Sequence, residues 1–224
     1  MSGRILNRVV TDGLVLYLDA ANSISYVSGS TTWNDLSRNG NNGTLVNGPT
    51  FNSSNGGSIV FDGTNDYVNI GDKEDFNFIL GNFTAGCWFK SSQSKIFAGL
   101  FGKVLGNVYG WTLELSSGKL RQIYASTEIN SPLSYNDNNW HYAIMVCQSL
   151  SQNMYMYVDG ILIGSTSMPS SYIPPTGAPL WIGGWGNIAY VLNCNIAQTL
   201  IYNRALTATE ILQNYNATKG RYGL

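Results

Sequence analysis

Short apolar runs, many with a two-residue period, recur along this chain and are separated by clusters of Gly, Asn and Ser. Leu14–Leu18, Ser58–Phe61, Tyr67–Ile70, Asn82–Phe89, Trp111–Leu115, Leu120–Tyr124, Trp140–Cys147, Met154–Val158, Ile161–Ser165, Pro179–Gly183 and Ile196–Tyr202 each predict a strand. Many short strands punctuated by turns imply a β-sandwich or barrel. One segment breaks the pattern. Thr207 and Glu210 have the S/T-x-x-E spacing of a capping box, and Leu206 and Ile211 occupy the two positions of a hydrophobic staple. A helix therefore starts near Ala208 and ends near Lys219–Gly220, where a basic residue precedes a glycine.

Asp159-Gly160 carries the signature of a two-residue type I′ hairpin turn. It predicts Val158 opposite Ile161 and Met156 opposite Ile163. Met154, Met156, Val158, Ile161 and Ile163 would then share a core face, with Tyr155, Tyr157 and Leu162 on the other face, to be covered by more chain or used for contact. Asn34 to Asn47 reads as a loop held by side-chain-to-backbone bonds of Asn, Asp and Ser. No linker or repeat divides the chain, so residues 12–224 are expected to form one domain, preceded by an arm of residues 1–11.

Composition sharpens this picture. Of 224 residues, 44% are hydrophobic and only 11% charged, against about 25% charged in an ordinary domain. The surface must be built from Asn, Ser, Thr and Gly, and should be indifferent to salt. The net charge is −1 with no run of Lys or Arg, so the basic footprint that nucleic acid requires is missing. No segment is apolar enough for a membrane-spanning helix, and the first residues lack the apolar stretch of a secretory signal. Three cysteines, Cys87, Cys147 and Cys194, leave at least one unpaired, which fits synthesis in a reducing cytosol.

Several segments occur in an order that resembles a known family. They are Gly13-Leu-Val-Leu-Tyr-Leu-Asp19, Asn34-Asp-Leu-Ser with Gly40-Asn-Asn-Gly-Thr44, and Ile59-Val-Phe-Asp-Gly63 with Asp66-Tyr-Val68. Phe83-Thr-Ala-Gly-Cys-Trp-Phe89, Trp140-His-Tyr-Ala143, Tyr157-Val-Asp-Gly160 and Ile201-Tyr-Asn-Arg-Ala-Leu206 follow. Together they resemble the laminin-G-like, concanavalin A-like jelly-roll domains. The resemblance implies an all-β fold, a two-sheet antiparallel jelly-roll sandwich with one short C-terminal helix. The opening Leu18-Asp-Ala-Ala-Asn-Ser23 and the ending Gln213 to Leu224 look like single-domain versions in tailed bacteriophages, where such domains are virion surface proteins. A virion protein is made in the host cytoplasm and released by lysis, which matches the missing export signal. The resemblance therefore implies a non-enzymatic virion protein, in capsid decoration or tail adhesion, that binds other virion proteins and a host surface glycan. A free bacterial carbohydrate-binding lectin is the alternative. The apolar Ile5, Leu6, Val9 and Val10 of the arm would dock on a neighbouring chain of an assembly, or else close this domain's own sheet.

Catalysis finds little support. Glycosidases of the resembling fold use carboxylates in a Glu-x-Asp-x-x-Glu pattern on one strand, and nothing here matches it. Glu114 stands alone, and Asp72, Glu74 and Asp75 fall at a strand end beside Lys73. His141 is the sole histidine and reads as structural. The family resemblance raises calcium at one rim of the sandwich, with Asp62 and Asp66 as ligands and Asp72 as a third, although Asp62-Gly63 and Asn65-Asp66 also read as turn formers. Relatives carry an acidic residue where this chain has Ala197-Gln198. For sugar contact the aromatic candidates are Trp185, set among glycines in Gly183-Gly-Trp-Gly186, with Tyr190 and Trp33. Trp88, Trp111 and Trp140 read as core, and Arg204 as an anchor for the helix turn.

Overall fold

A computed structural model describes residues 8–78, 81–105, 109–169 and 177–224. In chain order the strands are β1 (Leu14–Asp19), β2 (Thr32–Trp33), β3 (Gly43–Val46), β4 (Thr50–Asn52), β5 (Ser58–Asp62), β6 (Tyr67–Gly71), β7 (Phe83–Lys90) and β8 (Ala98–Leu105). They continue as β9 (Tyr109–Ser116), β10 (Lys119–Tyr124), β11 (Thr127–Ser134), β12 (Trp140–Gln148), β13 (Asn153–Val158), β14 (Ile161–Ser167), β15 (Leu180–Ile182) and β16 (Asn193–Tyr202). One helix, α1 (Ala208–Thr218), follows. The strands form two antiparallel sheets. The first has the order β14-β13-β12-β7-β16-β5-β4, with β1 also paired to β16, and the second runs β11-β10-β9-β8-β15-β6-β3-β2. This is the expected sandwich. The short strands β2, β3 and β4 and the long strands β8 and β11 add to those read from the sequence.

The sheets bury a common core of Leu16, Leu18, Phe61, Phe83, Phe89, Phe101, Trp111, Leu113, Tyr124 and Met156, among others. The first sheet is buried on its outer face too. There Trp88, Trp140, Tyr142, Ile144, Leu200 and Tyr202 pack under Val9, Leu206, Ile211 and Tyr222. This explains why β7, β12 and β16 read as nearly continuous apolar runs: each strand has two faces to bury. Trp88 and Trp111 are both core, as expected, but on opposite sides of the first sheet.

Helix α1 begins as predicted. The Thr207 side chain accepts from the Glu210 amide, and Glu210 in turn accepts from the Thr207 amide at 2.8 Å. Arg204 forks onto the same carboxylate, Nη1 to Oε2 at 3.0 Å and Nη2 to Oε1 at 2.7 Å, anchoring the turn into the helix. Residues 8–11 rest on α1 without forming a strand: Val10 donates its amide to Asn214 Oδ1 at 2.8 Å, and Gln213 donates to the Arg8 carbonyl. The remainder of the arm, residues 1–7, lies outside the described residues. All three cysteines are buried free thiols.

The Asp159-Gly160 hairpin has both central residues at positive φ, 52° and 81°, as a type I′ turn requires. Its predicted register needs correction. Val158 faces Ile161, but Met156 faces Gly164, because a bulge takes up Ile163. Ile161 is 68% exposed rather than core, whereas Ile163 is partly buried against the core as expected. The residue that replaces Ile163 opposite Met156 sits in a crowded place: a Cβ at Gly164 would lie 2.6 Å from Ile129 of β11. Tyr155 and Tyr157 are half-buried against the cluster beneath α1. The loop near Asn34 is built around Asp35, which accepts from the amides of Tyr17, Ser37 and Asn41; its far end is β3 rather than loop.

His141 bridges two carboxylates, Nδ1 to Asp159 at 2.8 Å and Nε2 to Asp137 at 3.2 Å. Burial disfavours its charged form, but Asp159 and Asp137 outweigh burial and raise its pKa above 6.5. A raised folded pKa stabilises fully below the unfolded value, about 6.5, and the gain fades as pH rises through the folded value. The midpoint of urea unfolding should thus exceed that of His141→Gln at pH 5 by more than at pH 9. Equal pH profiles for the two proteins would rule this out.

Candidate functional site

Among the described residues no α-helix covers the outer face of the second sheet. Side chains alternate along β9, so while Trp111, Leu113 and Leu115 enter the core, Thr112 and Glu114 point out. The β9–β10 register sets Arg121 opposite Glu114 and Ile123 opposite Thr112. On β8, Gly99 pairs with Glu114 and Gly102 with Thr112. These two glycines form a bare floor. A Cβ at Gly99 would meet Trp185 Cδ1 at 2.4 Å, and one at Gly102 would meet Trp185 Cβ at 2.9 Å. Trp185 lies flat in that slot and is only 7% exposed.

The segment that delivers Trp185 links β15 to β16. Gly183, at φ 80°, packs its bare Cα side on the Phe61 ring and donates its amide to Leu100. The Asn187 side chain caps the short turn Ile188–Tyr190 by accepting from the Ala189 amide. That turn brings the Tyr190 ring onto Trp185, nearly parallel at 8° with centroids 4.0 Å apart. Beneath it, the Trp185 indole donates to Glu114 Oε2 at 2.7 Å.

A groove of about 270 Å³ opens beside this stack, lined by Tyr190, Trp185, Phe97, Arg121, Ile123 and Glu128 among others. The Arg121 guanidinium lies 4.8 Å from the Phe97 ring centroid. Its Nε is 3.1 Å from Glu128 Oε2 and 3.5 Å from Glu114 Oε1. Burial pushes the Glu114 carboxyl up to about 7, against the downward pull of Arg121 and of the Trp185 hydrogen bond. Phe97 adopts φ 58°, a costly conformation for a bulky residue.

The sequence candidates have different fates. Trp185 and Tyr190 meet at the groove, with Tyr190 the accessible partner and Trp185 its support. Trp33 does not join them. It is fully buried in the core between the sheets, so its ring offers no surface to a ligand. Asp62 and Asp66 shape their turn: Asp62 Oδ1 accepts from the Thr64 amide at 2.7 Å, and Asp66 Oδ2 accepts from the Asp62 amide at 3.2 Å. Asp72 pairs with Lys103 and accepts from the Gly177 amide at 2.6 Å. Among the described residues no group of three or more His, Cys, Asp or Glu side chains could hold a metal ion. Glu114 is not isolated, as its sequence surroundings suggested, but joined to Arg121 and, through it, to Glu128. Phe97, Arg121 and Glu128 escaped the sequence reading; the one available signal was Glu114 falling out of phase with Trp111, Leu113 and Leu115.

A family model described as the concanavalin A-like lectin/glucanases superfamily matches residues 62–212, more than half of the chain. A comparison with curated proteins found no match. Among solved structures, the fold is similar to the binding domain of Paraclostridial Mosquitocidal Protein 1, with a TM-score of 0.73 and 21% identity over 92% of this chain and 52% of that one. It is also similar to the botulinum neurotoxin serotype D binding domain, with a TM-score of 0.70 and 15% identity over 92% and 52% of the two chains. Domain 4 of an extracellular arabinanase from Geobacillus stearothermophilus, solved with arabinotriose, gives a TM-score of 0.69 and 14% identity over 90% and 98%. The chain spans about half the length of the two toxin domains. At such identities the likeness speaks for the fold alone.

Proposed function

The chain belongs to the concanavalin A-like lectin/glucanase superfamily, and within it we propose that this protein is a non-enzymatic carbohydrate-binding module whose glycan lies in the groove over Tyr190. The observation that carries this reading is the Trp185–Tyr190 stack on its glycine floor. An aromatic ring held rigidly beside polar donors and acceptors suits a sugar, whose C–H face packs on the ring while its hydroxyls bond at the side. Arg121 and Glu128 supply those groups. Little ordering is needed on binding, because Trp185 and Phe97 already fix the ring and the guanidinium.

The non-enzymatic part rests on Glu114. A carboxyl pushed up to about 7 would suit a general acid at neutral pH. Its side chain has no exposed surface, however, and its Oε2 is covered by the Trp185 indole, so it has no contact with a bound glycosidic oxygen.

Tyr190→Ala should weaken glycan binding by about 2 kcal/mol, roughly thirtyfold, while leaving the unfolding midpoint nearly unchanged. Binding on a glycan array that survives this substitution would refute the site.

The setting we propose is the surface of a tailed-phage virion, as capsid decoration or tail adhesin, bound to other virion proteins. It is supported by the likeness of the two chain ends to phage domains. Gold-labelled antibody on purified particles tests it: label over heads or tail tips supports it, and bare particles would leave the free bacterial lectin as the reading. Calcium at Asp62 and Asp66 stays a separate proposal; a glycan array repeated with chelator decides it.

A further inference from the structure

We propose that the groove selects uncharged glycans, holding two adjacent hydroxyls between Arg121 as donor and Glu128 as acceptor, and rejects acidic sugars. This deepens the reading above and rests on the groove being the glycan site.

Charge around the groove decides the class. Arg121 is the one cation lining it among the described residues. Its Nε lies within ion-pair distance of Glu128, 3.1 Å, and of Glu114, 3.5 Å, without a hydrogen bond to either. Below about pH 7 Glu114 is neutral and the Arg121–Glu128 pair balances to zero; above it Glu114 ionises and the groove turns net negative. Neither state offers the net positive charge that would offset the desolvation of a ligand carboxylate.

The same pair suits a diol. Among the described residues neither terminal nitrogen of Arg121 donates a hydrogen bond, and the guanidinium rests on the Phe97 ring, so its planar fork can donate to hydroxyl oxygens. Glu128 Oε1 accepts one bond from Asn130 at 2.9 Å, and its half-exposed carboxylate keeps further lone pairs. A sugar hydroxyl both donates and accepts, so adjacent hydroxyls can satisfy both partners at once. A carboxylate only accepts, and would leave Glu128 facing a like charge. The direction of Arg121 is fixed: Phe97 holds its ring under the guanidinium from a strained φ of 58°.

The test is an array carrying neutral oligosaccharides, such as xylotriose and laminaritriose, beside acidic ones, such as trigalacturonate and 3′-sialyllactose. It is probed with wild-type protein, Tyr190→Ala, Glu128→Gln and Arg121→Lys, each checked for folding by circular dichroism. The expected result is retention of neutral probes alone, insensitive to added salt. Glu128→Gln and Arg121→Lys should each weaken it about tenfold or more. Acidic probes retained by wild type and lost in Tyr190→Ala would overturn the class while leaving the site. Neutral probes held equally by wild type and Glu128→Gln would overturn the diol contact. Retention unaffected by Tyr190→Ala, or no retention of any probe, would overturn the site and this inference with it.

Discussion

Trp185→Ala is expected to abolish glycan retention and to lower the unfolding free energy by about 3–5 kcal/mol, the cost of emptying a buried tryptophan site. Two losses combine. Tyr190 loses the ring it stacks on at 4.0 Å, so the turn Ile188–Tyr190 no longer holds it over the groove. Glu114 loses its indole donor, leaving a buried oxygen unsatisfied. Trp185→Phe separates the effects. It keeps an aromatic under Tyr190 and removes only the donor, so binding should persist while stability falls by about 1–3 kcal/mol. Urea unfolding and the glycan array read both quantities. A Trp185→Ala protein that folds as well as wild type and still retains glycans would refute the role assigned to the stack.

Trp88→Ala should be as damaging to the opposite sheet and harmless to the groove. Trp88 is fully buried, with its ring 4.2 Å from that of Tyr222 and 5.2 Å from that of Tyr142. Its indole donates to Thr218 Oγ1 at 2.8 Å, and Thr218 donates onward to the Asn214 carbonyl. Asn214 also donates to the Tyr202 hydroxyl and accepts from the Val10 amide. Trp88, Thr218 and Asn214 thus tie β7, β16, α1 and residue 10 together. Truncating it should cost about 3–5 kcal/mol, a fall in Tm of about 6–20 °C for a chain of this size. Amide exchange in α1 should accelerate. Where the variant folds at low temperature, glycan binding should be intact, because the groove lies on the other sheet. A loss below about 1 kcal/mol with unchanged α1 protection would show that the helix is held by other contacts.

Much of the fold was legible because its signals are local. The capping box at Thr207 and Glu210, the turn at Asp159-Gly160 and the two-residue periods along β6, β10 and β13 depend on neighbours a few positions apart. The Met156–Ile163 pairing failed at a bulge that sets Gly164 opposite Met156, beside Ile129 from a strand some thirty positions away. Trp33 and Trp185 show the same limit. Each sits beside loop-forming residues, and the sequence does not distinguish a ring that closes the core from one that lies on the outside of a sheet.

By itself the sequence determined the all-β class, the capped C-terminal helix, the hairpin turn and Tyr190 as an aromatic near a glycine-rich turn. Only the tertiary structure decided which sheet face is covered and which is open, and it alone joined Arg121, Glu128, Trp185 and Tyr190 into one groove, with Gly99 and Glu114 beneath Trp185. The reason is physical. Periodicity says that a side chain leaves one face of a strand, but what it meets there depends on strand register and on segments far along the chain. A site built across four neighbouring strands and a distant loop exists only once they are packed.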